Sequence, residues 1–113
     1  MYLQHVKIVV LGGQESAFEA ALCEVRQRVF MSPGFRGFTV AQDAERPGTY
    51  LVQMRWETLE ELAEHTERFD RCWAPLDPFL AAPLRSAHYV ERPGLAFQGP
   101  GVITDLAWLS AER

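Results

Sequence analysis

The chain has 113 residues, 48% hydrophobic and 23% charged, with a formal net charge of −4. That length suits one domain, and a chain this short leaves much of its surface uncovered unless it associates. The acidic balance, with no basic stripe, argues against nucleic acid as a partner, and no apolar run is long enough to span a membrane.

Residues 3–11 (LQHVKIVVL) alternate so that Val6, Ile8 and Val10 share one face, with His5, Lys7, Val9 and Leu11 on the other. This predicts a first strand, ended by Gly12 and Gly13, which form a turn rather than a phosphate loop. Residues 15–31 follow as a helix, with Ser16 and Glu19 at capping-box spacing. Phe18, Ala21, Leu22, Val25 and Val29 make its apolar stripe, and residues 32–34 (SPG) stop it. Residues 35–43 predict a second strand, with Phe38 and Val40 on one face and Phe35, Gly37, Thr39 and Ala41 on the other. Pro47 and Gly48 turn the chain into a third strand at 49–57, where Tyr50, Val52, Met54 and Trp56 point one way.

Thr58 and Glu61 repeat the capping-box spacing and open a second helix. Its expected buried stripe is Leu59, Leu62, Thr66, Phe69 and Trp73, and Pro75 and Pro78 are expected to break it. Residues 84–91 (LRSAHYVE) predict a fourth strand. In the tail, residues 92–113, the segment 102–109 (VITDLAWL) fits a strand or a short helix packed on the domain or on a partner subunit. A lid over a pocket and a strand exchanged with the partner both fit it.

The element order β-α-β-β-α-β predicts an α+β fold of the ferredoxin-like type, with a four-stranded antiparallel sheet and both helices on one face, over residues 1–91. Two helices cover only one face. Apolar residues such as Val9 and Leu51 on the other predict an exposed oily surface, which a second copy would cover as a homodimer.

Several segments carry a family resemblance. Residues 50–60 (YLVQMRWETLE) resemble the third strand and helix start of antibiotic biosynthesis monooxygenase domains, where an apolar strand leads into W-E-[ST]. Residues 32–35 (SPGF) are similar to the family's P-G-[FY]. His65 with Thr66, and residues 87–91 (AHYVE), resemble one subgroup. The resemblance spans residues 3–91. It implies a dimeric α+β barrel with a pocket in each subunit between helices and sheet. It also implies a range of activities, among them cofactor-independent oxygenation of aromatic polyketides and haem degradation. Haem degradation is disfavoured: the first-strand asparagine of those enzymes is absent, and His65 stands roughly where their second-helix tryptophan would be.

Trp56 matches a tryptophan linked to the site in the polyketide oxygenases. Their supporting asparagine on the same strand is not matched; Val52 stands there. The plainer reading of Trp56 is a core aromatic. His65 flanks the stripe beside Leu62 and Phe69, where an imidazole would move protons near neutral pH or serve as a structural histidine. The expected catalytic residues are therefore His65 and Trp56. Leu62, Phe69, Trp73, His88 and Tyr89 are the expected substrate-binding residues, with His88 and Tyr89 on opposite faces of the fourth strand. Arg55 and Arg85 on strands call for acidic partners, and His5 suits a rim. His5, His65 and His88 show no metal-ligand spacing, and Cys23 and Cys72 show neither metal nor disulfide spacing. No metal, no cofactor and a cytoplasmic setting are therefore the expectation.

Three functions follow. The first is a cofactor-independent monooxygenase acting on a small aromatic or polyketide-like metabolite. The second is an isomerase or cyclase using the same pocket without oxygen. The third is a non-catalytic dimeric metabolite-binding protein.

Overall fold

The computed structural model describes residues 1–97. Strand β1 (Tyr2–Val9) leads into helix α1 (Glu15–Phe30), then β2 (Phe35–Gln42), β3 (Thr49–Trp56), α2 (Leu59–Glu67), α3 (Phe69–Trp73) and β4 (Arg85–Val90). A 3-10 segment (Ala74–Phe79) links α3 to β4, and a shorter one (Pro93–Leu95) follows β4. The sheet order is β2-β3-β1-β4, antiparallel throughout. Two split β-α-β halves give this order when each helix crosses over the same face. The tail segment 102–109 lies outside the described residues. Just before it, Leu95 and Phe97 are strongly exposed.

The core follows the pleat. Val6 and Ile8 of β1, and Val52, Met54 and Trp56 of β3, are fully buried on the helix-covered face, as the alternation predicts. Phe18, Leu22, Val25 and Val29 of α1 close over them. Burying four such side chains supplies roughly 1.5–3 kcal/mol each.

Local details depart from expectation where tertiary contacts win. Ser16 does not cap α1: the cap position is Gln14, with no side-chain bond. Glu19, the expected partner, instead accepts a 2.7 Å hydrogen bond from the Tyr50 hydroxyl. At α2 the cap is real, with Glu61 N–H donating to Thr58 Oγ1 at 3.1 Å and that hydroxyl donating to Glu61 Oε1 at 3.0 Å. Before β2, Gly34 takes φ 78°, a left-handed turn that a side chain resists. A bulge between Phe35 and Gly37 then moves Phe35 onto the helix-covered side, edge-on to Trp56 at 5.8 Å, and not onto the face of Gly37, Thr39 and Ala41.

The second helix breaks at Arg68, ahead of both prolines, where the Arg68 N–H bonds back to His65 O at 3.0 Å. Its buried face is also shifted. Leu59 is half exposed and Thr66 lies outside the core, with its hydroxyl donating to Leu62 O at 2.9 Å. Leu62 and His65 are the buried pair on α2, and Trp73 and Leu76 continue inward beyond the break.

The opposite sheet face is mixed rather than oily. Leu51 and Tyr89 are exposed there, but Lys7, Gln53, Arg55 and Arg85 interrupt them. Arg55 meets its acid within the chain, as a bidentate pair with Glu91 at 3.1 and 3.2 Å.

Candidate functional site

The helix-covered face changes character toward β4. Trp56 ends β3 with 0% exposure, and the His65 ring lies tilted against it at 4.9 Å. The Thr58 cap fixes the start of α2 two residues after Trp56, and the seven-residue spacing from Thr58 to His65, about two helical turns, brings the imidazole back over the strand. The break at Arg68 then re-aims the chain. Phe69 and Trp73, one turn apart on α3, stack at 5.0 Å with planes 17° apart. Phe38 of β2 stacks beyond Trp73 at 6.4 Å.

One hydrogen bond sets the state of this cluster. Trp73 Nε1 donates to His65 Nε2 at 3.2 Å, both groups being buried. An indole N–H only donates, so His65 Nε2 is the unprotonated nitrogen and Nδ1 carries the proton of the neutral ring. Burial, aided by the Arg68 charge and then by His88, pushes the His65 pKa down to about 4. His65 is thus a neutral acceptor near pH 7. The Trp56 indole N–H, also buried, has no partner among the described residues.

A polar chain runs beside the aromatic one. Gln4 projects from β1 onto the buried face at 0% exposure, opposite His88 of β4 and Met54 of β3. Its Nε2 donates to Ser86 Oγ at 3.1 Å, while its Oε1 has no partner. Whichever way the amide is turned, one end is unsatisfied, at a cost of about 1–3 kcal/mol. Ser86 Oγ lies 3.4 Å from His88 Nε2. Both Ser86 and His88 are exposed, because neither helix covers β4. Between α3 and β4 an open groove of about 550 Å³ remains, walled by Phe69, Trp73 and two carboxylates, Asp70 and Asp77, on one side and by Leu80, Leu84 and Ser86 on the other.

The structure therefore brings Trp56, His65, Phe69, Trp73 and His88 to one end of the molecule. It does not bring Tyr89 there: its ring lies on the opposite sheet face, 4.8 Å from His5. Leu62 belongs to the core and does not line the groove. Trp56 borders no described cavity. Gln4 and Ser86 were not singled out from the sequence, although a glutamine at an inward position between Tyr2 and Val6 breaks the alternation and is a readable signal. Among the described residues no group of three His, Cys, Asp or Glu side chains is placed to hold a metal. Among the described residues no helix is long and apolar enough to cross a membrane.

An antiparallel four-stranded sheet with helices on one face, and a groove between the last helix and the edge strand, defines a ferredoxin-like α+β domain. The model of the antibiotic biosynthesis monooxygenase family matches residues 1–70, and the chain belongs to that family. Solved structures agree on the fold. A protein from Nitrosomonas europaea, described as a candidate antibiotic biosynthesis monooxygenase, is 22% identical with TM-score 0.68, covering 80% of this chain and 98% of that one. A conserved protein from Methanosarcina mazei Go1 is 17% identical with TM-score 0.69, covering 81% and 94%. A Mycobacterium tuberculosis protein is 16% identical with TM-score 0.67, covering 80% and 94%. None of the curated proteins matches the chain.

Proposed function

We propose that the chain is a monooxygenase-like enzyme that acts without a cofactor on a small aromatic or polyketide-like molecule held between α3 and β4. The observation that carries this reading is the groove itself: stacked aromatic rings on one wall and the Ser86 hydroxyl on the other, with the His88 imidazole 3.4 Å from that hydroxyl, in a member of this family. Flat aromatic walls suit a flat ligand, and the few polar groups would fix its orientation.

The reaction would begin with loss of a proton from an acidic CH2 or phenol of the substrate. His65 reaches such a proton only if Trp73 gives up its bond, and an imidazole whose pKa is about 4 is a weak base. His88 lies just outside the groove lining, its Nε2 3.4 Å from Ser86 Oγ, and in this reading it takes the first proton by way of Ser86, which meets the substrate oxygen. His65 and Trp56 then serve as the rigid backing that sets the Trp73 wall. The carbanion passes electrons to O2, one oxygen atom bonds to carbon, and the second leaves as water. The substrate CH2 becomes C=O, so the electrons balance with no external reductant. The protein contributes placement and exclusion of water.

Oxygen uptake with a hydroxylated polycyclic ketone, in the presence of a chelator, tests this. His88→Gln should slow turnover by about 10²-fold or more, and the product should gain one oxygen. Full turnover in both His88→Gln and Ser86→Ala would remove the assignment. An unchanged product mass would point to an isomerase or cyclase. The engaged lone pair of His65 and the full burial of Trp56 favour one second reading, a non-catalytic metabolite-binding protein. That reading expects a ligand that raises the melting temperature and is recovered unaltered.

In the same proposal the working form is a homodimer that packs the mixed sheet face around Leu51, Gln53 and Tyr89 against a second copy. Residues 92–113 would pack on the domain or on the partner, and the protein would work in the cytoplasm with Cys23 and Cys72 unpaired. Sedimentation at micromolar concentration should give twice the chain mass.

A further inference from the structure

His65 borders a hollow separate from the α3–β4 groove. This one, of about 220 Å³, lies between the end of α1 and the junction of α2 with α3, and its walls are Arg28, Ser32, His65, Arg68, Arg71 and Cys72. Three arginines line it, and among the described residues no carboxylate does. Arg28 is offset by Glu24 at 2.8 Å, and its second amine reaches Arg71 O at 3.4 Å, tying α1 to α3 across the hollow. Among the described residues neither Arg68 nor Arg71 has an ion pair.

Helix ends do not account for this charge. The C-termini of α1 and α2 both face this region, and each supplies roughly half a negative charge. With Glu24 counted, about one positive charge of the three guanidiniums is left unanswered, in a protein whose net charge is −4. The hollow also holds directional donors. The Ser32 hydroxyl is one. The buried His65 ring is another, because its Nε2 is committed to Trp73 and its remaining nitrogen carries the proton.

We propose that this hollow binds an oxyanion of phosphate type, held by Arg28, Arg68 and Arg71, and that occupancy is felt through His65 at Trp73, the wall of the α3–β4 groove. Guanidiniums match the paired oxygens of such a group, and the volume suits a phosphoryl group with little attached. Anion and groove ligand then press on opposite ends of one element, the His65–Trp73 pair. The binding claim does not depend on the groove being catalytic.

The test titrates inorganic phosphate into the full chain and follows the indole N–H resonances, with Trp73 assigned from Trp73→Phe. Sodium chloride at matched ionic strength is the control. Saturable movement of the Trp73 resonance with phosphate and not with chloride is expected. Replacing two charge-assisted anchors, as Arg68→Gln with Arg71→Gln, should weaken phosphate binding by about tenfold or more while the melting temperature without phosphate stays unchanged. Equal responses to phosphate and chloride, or equal affinity in the double variant, would overturn the site. Saturable binding seen at arginine resonances with a stationary Trp73 signal would overturn the coupling.

Discussion

The two ends of the helix-covered sheet face are built on different principles. Under α1 the contacts are apolar: Phe18, Leu22, Val25 and Val29 close on Ile8 and Val52, with the Phe18 and Tyr50 rings 4.7 Å apart. The Tyr50 hydroxyl there is satisfied, donating to Glu19 and accepting from Gln42 Nε2 at 3.4 Å, and burial together with that carboxylate pushes its pKa up to about 12. Under α2 and α3 the sheet carries Gln4 and Trp56, with His65 of α2 against them, and among the described residues two of the three buried side-chain atoms without partners lie there. One end is arranged for cohesion. The other retains unmet hydrogen bonding, and unmet hydrogen bonding costs stability unless something else answers it.

Substitutions should separate the two ends. The largest effect is expected at the cohesive one. Phe18→Ala removes a fully buried ring and should cost about 3–5 kcal/mol, read from urea unfolding. A loss under 1 kcal/mol would mean that α1 is loosely seated.

Next in size is the pH response of the other end. The His65 pKa falls from 6.5 to about 4 on folding, so the unfolded chain binds the extra proton first as pH drops. Stability tied to His65 is full above pH 6.5 and is lost toward pH 4, by about 3 kcal/mol at most. Unfolding curves for the native chain and His65→Gln should converge as pH falls through that window. Parallel curves would show that His65 titrates freely.

Trp73→Phe keeps the stacking but removes the donor. It should cost about 1 kcal/mol and raise the His65 pKa, because Nε2 becomes free to take a proton. Histidine ring resonances followed with pH decide this.

The smallest expected effect is at Gln4. Gln4→Leu deletes one bond and one unsatisfied end together, so stability should change by less than about 1 kcal/mol, while ligand binding in the α3–β4 groove weakens. A large loss of stability would make Gln4 an ordinary structural residue and undo the contrast.

Much of the fold was legible in the sequence because strand alternation and turn chemistry are local signals. The Tyr50-Val52-Met54-Trp56 face, the Thr58 cap and the opposed faces of His88 and Tyr89 need only neighbouring residues to be read. Misreadings came where distant groups decide. Glu19 is taken by Tyr50, thirty-one positions away, so the capping-box spacing at Ser16 goes unused. Phe35 changes face because one bulge shifts the pleat. The break at Arg68 has no proline or glycine to announce it, and the buried stripe keeps Leu62 and Trp73 as expected but takes His65 in place of Leu59 and Thr66. The aromatic rings and His88 were visible as residue types, but the Gln4–Ser86 contact was not, since those two residues lie 82 positions apart and meet only through strand pairing.

The brevity of α3 has a consequence for motion. Five residues are too few for a helical interior, since the first four N–H and last four C=O groups of any helix lack intrahelical partners. Its shape is therefore maintained by what its two rings press against, and little by its own ladder. A molecule wedging between those rings and the edge strand would loosen the segment's backbone along with its side chains. Amide protons of residues 69–73 should accordingly exchange ahead of those of α1, and their exchange rates should be the first quantity to register an occupant.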